Sequence, residues 1–132
     1  MAWEQYVDSF LLGCEKGNGG AIVGYDGLVW SCFSNANFGL TQEEAKTLAK
    51  SAAGNIENLK TVDLIVGGKK FEITHVDTEK NCATAKHEDG GLSMYKTKKT
   101  LVIGFYANNN TTPEQNAEAT YHCAKYMLDL DY

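Results

Sequence analysis

Strand-like runs in the second half of the chain are separated by turns too short to carry a crossover. Leu64-Ile65-Val66 and the run from Lys69 to Val76 flank Gly67-Gly68, and the runs Leu92 to Lys96 and Thr100 to Tyr106 flank Lys98-Lys99. A parallel connection needs roughly a dozen residues, so these neighbours must pair antiparallel. Period-two alternation in the run after Gly68 sets Phe71, Ile73 and His75 on one face. Cys82 to Lys86 reads as a further short strand, with Glu88-Asp89-Gly90-Gly91 as the turn after it. Earlier in the chain, Ala21 to Tyr25 and Leu28 to Cys32 flank Asp26-Gly27, a hairpin turn whose two residues both tolerate positive φ.

Helical signals bracket these strands. Trp3, Tyr6, Val7, Phe10 and Leu11 follow helical spacing within Ala2 to Leu12, before Gly13 and Gly17-Asn18-Gly19-Gly20. Thr41-Gln42-Glu43-Glu44 is a capping box, in which hydroxyl and carboxylate each satisfy a free amide. The helix it opens carries Ala45, Leu48, Ala49 and Ala52 and stops at Gly54. Thr112-Pro113-Glu114-Gln115 is a second box with proline at the first helical position. Ala117, Tyr121, Ala124 and Leu128 share a face of the last helix, which ends near Leu130. The 132 residues suit one α+β domain spanning 1–132.

Composition excludes several classes. A net charge of −5 does not suit a phosphate backbone, so no nucleic-acid partner is expected. The four cysteines, at 14, 32, 82 and 123, lack metal-ligand spacing, and neither metal nor cofactor is expected. No basic-then-apolar leader opens the sequence and no apolar run reaches the roughly 18 residues of a membrane span. These features point to free thiols in a reducing cytosol, with Asn109-Asn110-Thr111-Thr112 an unmodified polar loop. Catalysis finds little support. His122-Cys123 is the sole adjacent histidine–cysteine pair, and neighbouring helical residues point apart. Gly17-Asn18-Gly19-Gly20 precedes a strand, whereas a phosphate loop opens a helix.

Aromatic residues gather near the two chain ends. Trp3 and Tyr6 lie one turn apart, Trp30 lies on the second strand, and Tyr126 and Tyr132 close the sequence. Scattered rings of this kind most often pack in or beside a core. If the first and last helices lie side by side, the same rings form a groove for a polyproline II ligand. Such a ligand offers free carbonyls to indole and phenol donors and loses little entropy on binding.

The segments Met1-Ala2-Trp3-Glu4-Gln5-Tyr6-Val7, Ala21 to Gly27 followed by Trp30, and Lys96 to Gly104 resemble the profilin family. The likeness extends to the final helix and is loosest between Ser31 and Asp89. It implies a central antiparallel sheet of about six to seven strands. The N- and C-terminal helices would share one face, with smaller helices on the other. It implies a proline-rich ligand site on Trp3, Tyr6, Trp30, Tyr126 and Tyr132, with Met127 beside it and formins as partners. It also implies binding of monomeric actin, with faster nucleotide exchange through selection of one actin conformer. The matching positions are Leu59, Lys60, His75, Lys86, Lys96, Glu118 and Tyr121. Lys86 and Lys96 would face acidic actin surface. The family property of phosphoinositide headgroup binding would draw on Lys69, Lys70, Lys80, Lys86, Lys96, Lys98 and Lys99. A monomer, cytoplasmic and cytoskeleton-associated, is the expected state. The chain departs from the family at Glu114 and Glu118, where many members are basic, and at His75, where many carry arginine. A scaffold or sensor on the same fold is the competing reading.

Overall fold

The computed structural model describes residues 19–27, 29–34, 41–60, 64–66, 68–88, 90–107 and 112–132, with backbone alone at 29–34 and 107. The N-terminal helix expected over Ala2 to Leu12 lies outside these residues. In chain order the elements are β1 (Gly19–Gly24) and β2 (Val29–Ser34), then helix α1 (Gln42–Gly54) and a 3-10 helix (Ile56–Lys60). Strands β3 (Leu64–Val66), β4 (Lys69–Asp77), β5 (Cys82–His87), β6 (Gly90–Lys96) and β7 (Thr100–Ala107) follow, and α2 (Pro113–Asp129) closes the series. The strands form one seven-stranded sheet in the order β2-β1-β7-β6-β5-β4-β3, with every pairing antiparallel.

Both helix starts follow from their capping boxes. Thr41 Oγ1 accepts from Glu44 N–H at 3.2 Å while Glu44 Oε1 accepts from Thr41 N–H at 2.9 Å. Thr112 and Gln115 repeat the exchange at 3.1 and 3.2 Å. Each box satisfies two amides that an open helix end would leave bare. The helices then bury opposite faces of the sheet. Leu48, Ile56 and Leu59 pack with Phe71, Leu92, Met94, Leu101 and Phe105 on one side. Ala119, Cys123, Ala124 and Met127 of α2 pack with Ile22 and Val102 on the other. Each large side chain so buried contributes about 1.5–3 kcal/mol relative to exposure.

Three local expectations are corrected. Asp26 keeps negative φ, and only Gly27 is left-handed, at φ 92°. Gly27 N–H donates to Gly24 O at 2.9 Å, so Tyr25 and Asp26 occupy the middle of the turn and Gly27 follows it. A Cβ there would also lie 2.9 Å from Lys46 Cγ. Gly90 and Gly91 belong to β6, leaving a tighter turn than expected. In β4 the alternation breaks: Ile73 pairs with Ala85 and His75 with Thr84, with a register shift between them. Val76, not His75, joins Ile73 against the core, because a bulge inserts one residue and resets the pleat.

The described thiols Cys82 and Cys123 are free and buried. Burial pushes the Cys123 thiol up to about 12 and raises Cys82 as well. Burial likewise pushes the Tyr95 phenol up to about 12 and raises Tyr25 and Tyr106. All five groups are held in their protonated forms by the fold, so each contributes stability below its unfolded value and loses it as pH rises through its folded one. The thermal midpoint is therefore expected to hold up to about pH 9 and fall as the pH climbs through 10 towards 12. A midpoint flat to pH 12 in a calorimetric series would contradict this.

Candidate functional site

Helix α2 carries two separate regions, one at each end. Glu114 and Tyr126 are twelve residues apart, about 18 Å along the axis at 1.5 Å per residue. At its beginning, Pro113, Glu114 and Ala117 close a cleft of about 360 Å³ with Thr74, Thr84, Lys86, Ser93 and Tyr106. Ser93 Oγ donates to Asn116 Oδ1 at 2.6 Å, both fully buried, and fixes the helix to β6 here. Thr74 and Thr84 hydroxyls meet at 2.9 Å across β4 and β5. Tyr106 has its phenol pKa raised, first by burial and then by the Glu114 carboxylate. On the other side of β4, Lys60 and His75 border an open groove floored by Leu59 and Phe71.

The structure sorts the residues read from sequence. Lys60, His75 and Lys86 are exposed, and Thr74 borders both the groove and the cleft that these residues line. Glu118 and Tyr121 continue the surface along α2. Glu118 Oε1 lies 3.6 Å from His122 Nε2, and the Tyr121 ring, 45% exposed, packs 5.6 Å from Tyr95. Leu59 is corrected: it is 0% exposed and belongs to the core, supporting Lys60 from beneath. Lys96 is also separated from the group. It stands at the end of β6, opposite Leu101, while Lys86 pairs with Gly91 near the start, about 17 Å away along the strand. Its Nζ donates to Ala53 O at 3.0 Å and lies 5.9 Å from the Tyr25 ring centroid, tying α1 to the first hairpin.

The second region lies where α2 ends. Tyr126 is 42% exposed and Tyr132 is half-buried. Met127, read from sequence as a ligand contact, is 0% exposed and packs beneath Tyr132 and Tyr95. An i, i+1 pair on a helix cannot present both side chains in one direction, so exposing Tyr126 turns Met127 inward. Trp3 and Tyr6 lie outside the described residues. The backbone of Trp30 is the extra residue of β2 between Ser31, opposite Ile22, and Val29, opposite Val23. The sequence reading missed Thr74, Thr84 and Tyr106 in the cleft. The signal available for Tyr106 was the unadorned Gly91, which leaves space for a ring on the neighbouring strand.

His122 is exposed while Cys123 is fully buried, which agrees with their reading as no dyad. Among the described residues no three His, Cys, Asp or Glu side chains cluster as a metal site, and no helix is long and apolar enough to cross a membrane.

A family model described as Profilin matches residues 1–132. Profilin-1 of Entamoeba histolytica is 42% identical over 132 residues, covering 100% of both chains. A Schizosaccharomyces pombe profilin structure is similar at TM-score 0.83 and 27% identity, covering 98% of this chain and 99% of that one. Mouse profilin IIa matches at TM-score 0.73 and 19% identity over 100% of both chains, a likeness of fold. The chain belongs to the profilin family, whose members are non-enzymatic actin-binding proteins.

Proposed function

We propose that this chain binds monomeric actin and proline-rich segments at the two ends of α2, and speeds nucleotide exchange on actin by favouring one actin conformer. The observation that carries this reading is the separation itself. An exposed Tyr126, near the end of α2 that the half-buried Tyr132 follows, stands about 18 Å along the helix from the lysine-bearing cleft, which leaves the two partners separate surfaces. Trp3, Tyr6 and Trp30 complete the proline-rich ligand site in this proposal. Lys60, His75, Lys86, Glu118 and Tyr121 make the actin surface, with Lys86 steering encounter with acidic actin surface. The mouse profilin IIa structure holds a double repeat from the FH1 domain of mDia1, which supports formin segments as the proline-rich partners. The setting that follows is cytoplasmic and cytoskeletal, with the protein acting as a monomer. Half-buried Lys69 and exposed Lys70 and Lys80 would give phosphoinositide headgroups a contact that weakens steeply with salt.

Crossed titrations test this. A proline decamer should change the tryptophan fluorescence. Tyr126→Ala should cost about 1–2 kcal/mol of decamer affinity and leave actin binding intact. Lys86→Glu should weaken actin-monomer binding, most at low salt, with the decamer curve unchanged. Absence of decamer binding by the parent protein, or loss of both activities in either variant, would reject the two-ended arrangement.

A further inference from the structure

The turn between β6 and β7 does more than reverse the chain. It closes by Thr97 N–H donating to Thr100 O at 2.8 Å, with the Thr97 and Thr100 hydroxyls 2.6 Å apart. These contacts suffice for the turn. Four further contacts leave it for the segment beyond α2. Lys99 N–H donates to the main-chain oxygen of Tyr132 at 2.6 Å, and Thr97 Oγ1 lies 3.1 Å from the same oxygen. Lys98 Nζ pairs with Asp131 Oδ1. The Lys99 ammonium stands 5.2 Å from the Tyr132 ring centroid, where the ring face attracts a cation.

The segment is shaped to receive these contacts. Asp131 takes a left-handed φ of 70°, and Tyr132 N–H donates to Met127 O at 2.9 Å. This six-to-one closure ends a helix by turning its chain back across the last turn. Left-handed backbone is unfavourable for residues with a Cβ, least so for Asp and Asn. Lys98 holds the Asp131 carboxylate there, and its hydrogen bond and charge keep that carboxyl below its ordinary range.

We propose that Thr97, Lys98 and Lys99 are positioning residues for the proline-rich ligand site, and that Lys99 acts through the Tyr132 ring. The inference rests on the reading of Tyr132 as a ligand contact. A ring already held in one orientation loses less freedom when a ligand covers it, which raises affinity without a new contact. Lys99 suits this task because it is exposed and has its ammonium on the ring face, while Thr97, 5% exposed, anchors the backbone below.

A double-mutant cycle tests the proposal, with the proline decamer as ligand. Lys99→Met should weaken decamer binding about three-fold, within the range for an exposed cation–ring contact. Lys99→Arg should bind as the parent does, since a guanidinium also lies on a ring face. In a Tyr132→Ala background, Lys99→Met should change nothing further, because its route of action is gone. Thermal midpoint and actin-monomer affinity should stay level in the Lys99 variants. Equal weakening by Lys99→Met in both backgrounds would overturn the proposal, since Lys99 would then touch the ligand or act by general charge. No weakening in the parent background would overturn it too. The underlying reading fails separately, by Tyr132→Ala leaving decamer affinity unchanged.

Discussion

Gly91→Ala is expected to remove about 3 kcal/mol of folding stability, at the upper end of overpacking costs, read as a lower urea midpoint at constant slope. Gly91 sits mid-sheet, paired with Lys86 on β5 and with Tyr106 on β7. A Cβ there would lie 2.5 Å from Tyr106 Oη, 2.7 Å from Ala85 O and 2.8 Å from Tyr106 Cζ. The phenol can swing away, but the Ala85 carbonyl is main chain within β5 and cannot retreat without breaking its ladder. Tyr106→Phe in the same chain should therefore rescue only part of the loss. Tyr106 also lines the cleft with Lys86 and Glu114, so its displacement should weaken actin binding as well. A Gly91→Ala protein within about 1 kcal/mol of the parent would show that β5 and β6 can separate locally at little cost.

Met127→Ala should cost about 3 kcal/mol, and Met127→Leu less than about 1.5 kcal/mol. Met127 is 0% exposed among Ile22, Val102, Ala119, Cys123 and Ala124, with Tyr132 and Tyr95 packed around it. Truncation leaves a void in this smaller of the two cores, whereas leucine nearly conserves the volume. The pair also separates a supporting role from direct contact. A side chain beneath the site predicts that leucine keeps decamer affinity and that alanine loses it together with stability. Decamer binding abolished by Met127→Leu in a protein of normal thermal midpoint would return Met127 to the contact surface.

The elements legible in the sequence are those whose signals are local. Each capping box is a run of four consecutive residues, and both helices begin where Thr41 and Thr112 place them. Short turns enforced the antiparallel meander, and the burial of Ala45, Leu48, Ala49 and Ala52 followed from helical spacing. What was illegible depends on a partner strand or helix. The bulge that moves His75 off the Phe71 face is a mismatch between β4 and β5, so β4 alone could not reveal it. Lys96 looked like a free surface lysine because Ala53, the acceptor of its ammonium, is 43 residues away. Leu59 and Met127 were assigned to surfaces by resemblance, yet both are core residues whose exposed neighbours, Lys60 and Tyr126, carry the accessible chemistry.

The strand order also has a kinetic side. From β3 to β7 each strand pairs with the next along the chain, so every pairing closes a short loop. The meeting of β1 with β7 is different: Gly24 pairs with Thr100, enclosing roughly 75 residues and costing about 2–3 kcal/mol more closure entropy than a tight hairpin. Chain entropy therefore favours a five-stranded meander assembling first, with the amino-terminal hairpin arriving last to cap the bare edge of β7. Until it does, that edge offers a row of unpaired amides and carbonyls to any other extended chain nearby. The interval before the hairpin docks is when the young protein is most exposed to mispairing with its own copies.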